Sequence, residues 1–175
     1  MSNELLPVDR FLHTLTIVNR EGRHLAYSWQ RLSTVGISID WVESLEGRPE
    51  QAEMLEAFVS RLGRMQDTIG EKLLPRWLAA LAEPARSQIE VLQRAERLGV
   101  LESVDDWLSA RQLRNRLVHE YMTDPRRFAE DLRRALEASR MLFDCYSRVR
   151  RYAIETMEVR SACPAPLDLP RADGV

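Results

Sequence analysis

The sequence predicts an all-α helical bundle of about five helices, a fold class carried by three observations. Apolar residues recur at spacings of three, four and seven along most of the chain, the period of an amphipathic helix. No alternating strand pattern rivals them. Turn and cap residues fall between the periodic stretches rather than inside them. The 175 residues suffice for one domain with a real core, read as residues 1–160. Residues 161–175, SACPAPLDLPRADGV, hold three prolines and little to bury, and are expected to be a disordered tail.

The first helix is marked by Val8, Phe11, Leu12, Leu15, Val18, Leu25, Trp29 and Leu32, with a disturbance expected at Gly22. VGISIDWVESLEGRP, residues 35–49, mixes glycines, a proline and β-branched residues and reads as a loop or edge segment. The second helix, about 50–74, carries the stripe Met54, Phe58, Leu62, Met65 and Ile69 and is expected to end at Pro75, with RWLAALA as a short turn after it. A third, about 85–98, stops at Gly99, a natural C-cap. Ser103 is the N-cap of a fourth helix, DDWLSARQLRNRLVH, with Asp106 in its acidic first turn. Asp124 and Pro125 stop that helix and start the fifth, about 125–155, whose inward residues include Phe128, Leu132, Leu136, Phe143, Tyr146 and Val149.

Charge and composition narrow the function. The net charge is −2, so attraction to nucleic acid must come from a local basic patch. Lys72 is the only lysine, and arginine supplies all the other positive charge. Cys145 and Cys163 make no metal spacing with a histidine and read as free thiols of a reducing compartment. With no 18-residue apolar run and no signal-peptide pattern, a cytoplasmic protein that makes no membrane contact is expected.

The stretch RNRLVHEY, residues 114–121, is the densest in chemistry. On a helix of about 100° per residue, Trp107, Ala110, Leu113 and Leu117 share a core face. Arg114 falls inside the same arc, about 20° from Trp107, and Tyr121 lies on it two turns later. An arginine there needs a partner for its charge. An intramolecular carboxylate, a second subunit and a bound phosphate would each serve. The structural alternatives for its neighbours are a histidine that merely packs and a core tyrosine with a wet hydroxyl.

Arg114, Asn115, His119 and Tyr121 form R-N-x-x-x-H-x-Y, which resembles the R-x4–6-H motif of the HEPN superfamily. It is most similar to the HepT-like branch, toxins encoded beside minimal nucleotidyltransferase antitoxins. The flanks SRLGRMQDTIGEKLLP (60–75) and RAERLGVLESVDDWLSARQLRNRLVHEYMTDP (94–125) resemble that branch too, so the likeness spans most of residues 55–150. The resemblance implies a helical bundle that forms a homodimer, and a metal-independent endoribonuclease whose site lies between two subunits. It implies Arg114 and His119 as the catalytic pair and Asn115 as the polar residue beside the arginine. It implies Tyr121 as the tyrosine that the antitoxin AMPylates. No cofactor is implied.

Elementary chemistry is compatible with that implication. Metal-free RNA cleavage needs a base for the 2′-hydroxyl, an acid for the leaving 5′-oxygen and a cation for the phosphorane. Histidine titrates near neutral pH, and arginine grips two phosphate oxygens without losing its charge. The motif offers one histidine per chain; His13 and His24 have no arginine at its spacing. A two-fold axis would supply the second proton-transfer group. Arg111, Arg116, Arg126 and Arg127 are expected to join Arg114 as RNA phosphate-binding residues. Two rivals stay open: a non-catalytic subunit that presents nucleotide or substrate to a nucleotidyltransferase, and a plain dimeriser that uses the motif for ion pairs between subunits.

Overall fold

The apolar stripe of the first segment folds into one unbroken helix, α1 (Pro7–Ser33), in a computed structural model that describes residues 5–119 and 123–170. All secondary structure among these residues is helical. Phe11, Leu15, Val18, Leu25 and Leu32 are fully buried along one face, and Pro7 at the first turn leaves no backbone N–H unsatisfied there. Gly22 does not disturb the helix; it is buried within it.

Residues 35–49, expected as a loop or edge segment, instead hold a short helix, α2 (Ile39–Ser44), followed by a 3-10 turn at Leu45–Gly47. Ser38 caps α2 by accepting from the Trp41 backbone N–H at 3.1 Å. Trp41, Val42 and Leu45 are buried, so tertiary packing overrides the β-branched composition that argued against helix.

The second long helix does not stop at Pro75. It runs as α3 (Pro49–Thr68), widens into one π turn (Ile69–Leu73), and continues as α4 (Leu74–Ala80). Proline lacks an N–H, and its ring crowds the carbonyl four residues back, here that of Glu71. The wide turn just before it, in which the Leu74 N–H donates to the Ile69 carbonyl, lets the helix pass the proline instead of ending. Trp77 of α4 is fully buried edge-on to Tyr152, ring centroids 5.2 Å apart.

Three boundaries fall as the sequence predicts. Gly99, at φ +80°, follows α5 (Gln88–Arg97) in the left-handed region that glycine favours. Ser103 accepts from the Asp106 N–H at the start of α6 (Val104–His119). Asp124 caps α7 (Pro125–Glu155) by accepting from the Arg127 N–H at 3.1 Å. α1 packs along α3, α4 and α7, and α6 lies between α3 and α7.

The tail up to residue 170 is not disordered, contrary to expectation; residues 171–175 lie outside the described residues. A 3-10 turn at Arg160–Ala162 leads into an extended strap over α1 and α7. The Ala165 carbonyl accepts from the Tyr146 hydroxyl (2.8 Å) and from Asn19 Nδ2 (2.9 Å); the Pro164 carbonyl accepts from Arg150 Nε (2.7 Å). Leu167 is buried against Gly22, where a Cβ would overlap its Cδ2 atom. Prolines suit such a strap because they have no N–H that needs an acceptor and lose little entropy on ordering. Cys145 is buried in α7, its thiol pushed up to about 12 by burial, and both cysteines are free.

The glycine hole makes a prediction. Gly22→Ala, whose Cβ alone overlaps Leu167 and only grazes Met65, should lift the strap from α1 without unfolding the bundle. Hydrogen exchange should rise at residues 163–169 while the protection of α3 and α6 persists.

Candidate functional site

α6 carries the motif, and two contacts seat it on α3. The Gln66 side-chain amide donates to the Trp107 carbonyl at 3.1 Å, and Trp107 packs so closely over Gly70 that a Cβ there would lie 3.2 Å from its ring. Trp107, Leu113 and Leu117 are buried, as the helical spacing predicts.

Arg114 then points at α3. Its Nη1 donates to the Gly63 carbonyl (2.8 Å) and to Asp67 Oδ2 (3.0 Å), and its Nη2 donates to Asp67 Oδ1 (2.7 Å). The side chain is only 13% exposed and Asp67 is 43% exposed, so the pair sits at a mouth, one partner inside and one at the rim. Gly63 is what lets the guanidinium lie down on α3: a Cβ there would be 2.7 Å from Nη1. Of the sequence alternatives for Arg114, an intramolecular carboxylate is present. A guanidinium has five N–H donors. Three are used here, leaving one on Nη2 and the buried Nε, which has no partner among the described residues.

The pair forms part of an open cleft of about 470 Å³. Gly63, Arg64, Asp67 and Thr68 of α3, with Glu71 and Lys72 of the π turn, form one wall, and Arg114, Asn115 and Val118 of α6 the other. An apolar groove of about 400 Å³ adjoins it, sharing Val59, Ser60 and Val118 and reaching Leu117 and Phe128. Val118, 63% exposed, stands between the two.

The other sequence-predicted residues divide. Asn115 is exposed and lines the cleft. Arg111 reaches Glu71 only loosely, at 4.0 Å, on the same side. Arg116, expected to bind phosphate, turns instead to α7, where Nε and Nη2 donate to Asp131 at 3.1 and 3.2 Å. Asp131 is 3% exposed, so Arg116 neutralises a buried carboxylate of the fold. Arg126 and Arg127 are exposed on the first turn of α7 and do not line the cleft. His119 is the last residue of α6; its side chain, and Tyr121 altogether, lie outside the described residues.

Sequence reasoning missed Gly63, Arg64, Asp67, Thr68 and Lys72. A signal was present: Gly63 and Asp67 are one turn apart on the flank of the α3 stripe, the spacing at which a small residue and a carboxylate can share one guanidinium. It missed Glu21 as well. Glu21 Oε1 accepts from the Thr68 hydroxyl at 3.0 Å, and its Oε2 is buried without a partner among the described residues. Burial pushes the Glu21 carboxyl up from its ordinary range, against the hydrogen bond from Thr68 and the nearby charges of Arg64 and Lys72. No group of three metal-ligating side chains occurs among the described residues. No family model, curated protein or solved structure matches the chain.

Two outcomes follow. Arg116→Ala leaves Asp131 buried with Arg134 only at 3.9 Å and should cost about 3 kcal/mol in urea unfolding, with Asn115→Ala close to neutral. A carboxyl raised in the folded state binds more protons there than in the unfolded chain, so its contribution to stability is lost as pH rises through the carboxylate range. Glu21→Gln keeps the acceptor for Thr68 and should stabilise the protein at pH 8 relative to wild type, an advantage that shrinks at pH 4.

Proposed function

We propose that this chain is a HEPN-type, HepT-like endoribonuclease toxin, working without metal as a two-fold dimer and silenced by a minimal nucleotidyltransferase antitoxin that AMPylates Tyr121. One observation supports the reading most: the motif arginine lies almost wholly inside the protein, beside Asn115, in an open cleft whose rim is charged. An ordinary surface arginine would stand in solvent. Here Asp67 and Gly63 hold the guanidinium in one orientation, so a phosphate entering the cleft meets a preset charge and the Nη2 hydrogen that Asp67 leaves unused.

In this reading Arg114 stabilises the phosphorane, and His119 of each subunit moves a proton, one as base and one as acid. On one helix, five residues put these two groups about 7.5 Å apart along the axis and about 140° apart around it. One chain offers a single His119 where the reaction needs both a base and an acid, so the reading calls for a second copy of α6. An AMP group on Tyr121 would bring negative charge and bulk to the cationic cleft and exclude the RNA phosphate.

The second reading is a non-catalytic HEPN subunit that presents nucleotide or substrate to a nucleotidyltransferase. The Arg114–Asp67 pair favours it, since an arginine already satisfied inside its own chain needs no ligand to justify its burial.

Cleavage of a mixed RNA pool in EDTA separates the two. Wild type should cut and leave 2′,3′-cyclic phosphate ends; His119→Ala and Arg114→Ala should lose on the order of a hundredfold or more. Intact mass must first show that Tyr121 carries no AMP. Inactivity of the unmodified wild type gives the lead to the presenting subunit.

A further inference from the structure

The cleft has a second cationic end that the motif does not supply. Arg64 of α3 and Lys72 of the π turn line the wall opposite α6, both exposed, with Thr68 between them. Eight residues of helix separate them, a rise of about 12 Å. The cations that face carboxylates nearby are otherwise matched: Arg114 with Asp67, Arg111 with Glu71, Arg116 with Asp131. Arg64 and Lys72 have no ion pair or hydrogen bond of this kind among the described residues. Glu21, whose charge both of them approach, already accepts from Thr68 through Oε1. The cleft walls therefore hold three cations against two carboxylates, a net positive patch on a chain of net charge −2.

Two features set Lys72 apart. It is the one lysine among 25 basic residues, and it stands in the π turn, a widened turn that often marks functional positions. Lysine offers a mobile point charge with three donors, whereas Arg114 is a fixed fork. Thr68, which lines the cleft, gives its proton to Glu21, so its oxygen keeps only acceptor capacity.

We propose that Arg64, Thr68 and Lys72 form a second phosphate subsite, which holds another phosphodiester of the RNA strand that Arg114 meets. This rests on the reading of the cleft as an RNA site, but it does not require the RNA to be cut. Arg64 and Lys72 neutralise the backbone, and Thr68 accepts from a ribose hydroxyl, a contact that DNA lacks.

The single lysine makes the test specific. The His119→Ala protein, which keeps Arg64, Thr68 and Lys72, is treated with a limiting amine-reactive acetylating ester, alone and with an RNA oligonucleotide that retains its 2′-hydroxyls. Peptide masses compare Lys72 with the α-amino group, the internal reference. RNA should slow acetylation of Lys72 several-fold and leave the α-amino group unchanged. Arg64→Gln and Lys72→Gln should each lower the slope of log affinity against log salt by about 1. Unprotected Lys72 with RNA bound, unchanged slopes in both variants, or no RNA binding would each overturn the proposal. Equal protection by ATP at the same phosphate concentration would overturn the RNA assignment in favour of a free nucleotide. Protection by the oligonucleotide, with no cleavage of natural RNA by wild type, would sink the ribonuclease reading and leave the subsite standing.

Discussion

One guanidinium decides how α6 meets α3. Arg114 occupies the core side of its helix, where a lone cation is untenable. Asp67 and the Gly63 carbonyl resolve the problem together, and only a glycine at 63 leaves room for them to do so. The cleft follows from that solution. Because the arginine crosses to α3, α6 is held with Asn115 and Val118 turned outward, and the α3 residues next to Asp67 become a wall facing them. The same contact has a double meaning for chemistry. It preorganises the charge that a phosphate would need, and it also satisfies that charge before any phosphate arrives.

The helical frame was largely legible. Long apolar periods marked α1, α3 and α7, and Gly99, Ser103 and Asp124 mark the end of α5 and the starts of α6 and α7 by local backbone chemistry that needs no tertiary partner. What escaped is what depends on neighbours. Pro75 reads as a stop because the π turn that accommodates it has no sequence signature of its own. Residues 163–169 read as disorder because their ordering comes from Asn19, Tyr146 and Arg150, far away in sequence, donating to carbonyls that any residue possesses. α2 was obscured by β-branched residues that packing overrides.

The site was legible on α6 and illegible on α3. Arginines that are neighbours in sequence are not neighbours on a helix: Arg114 and Arg116 differ by about 200° around the axis, and the structure spends them on opposite sides. Grouping charges by position in the chain therefore placed Arg116 with the motif, when Asp131 claims it. The α3 residues lie some fifty positions upstream and are joined to the motif only by folding, which is why Asp67 and Lys72 passed as ordinary helix-surface charges.

The widened turn at Ile69–Leu73 carries a consequence for how the molecule can change. A helix with one π turn contains a residue more than its length requires. Removing a residue there would restore a regular helix, and because the wide turn absorbs that residue locally, the two sides would keep their phase. Phe58, Leu62 and Met65 would stay aligned with Leu74, Trp77 and Leu78, all of them core residues. What would return is the clash that the wide turn relieves, between the ring of Pro75 and the carbonyl four residues before it. The odd residue and the proline therefore belong together: losing either one removes the reason for the other.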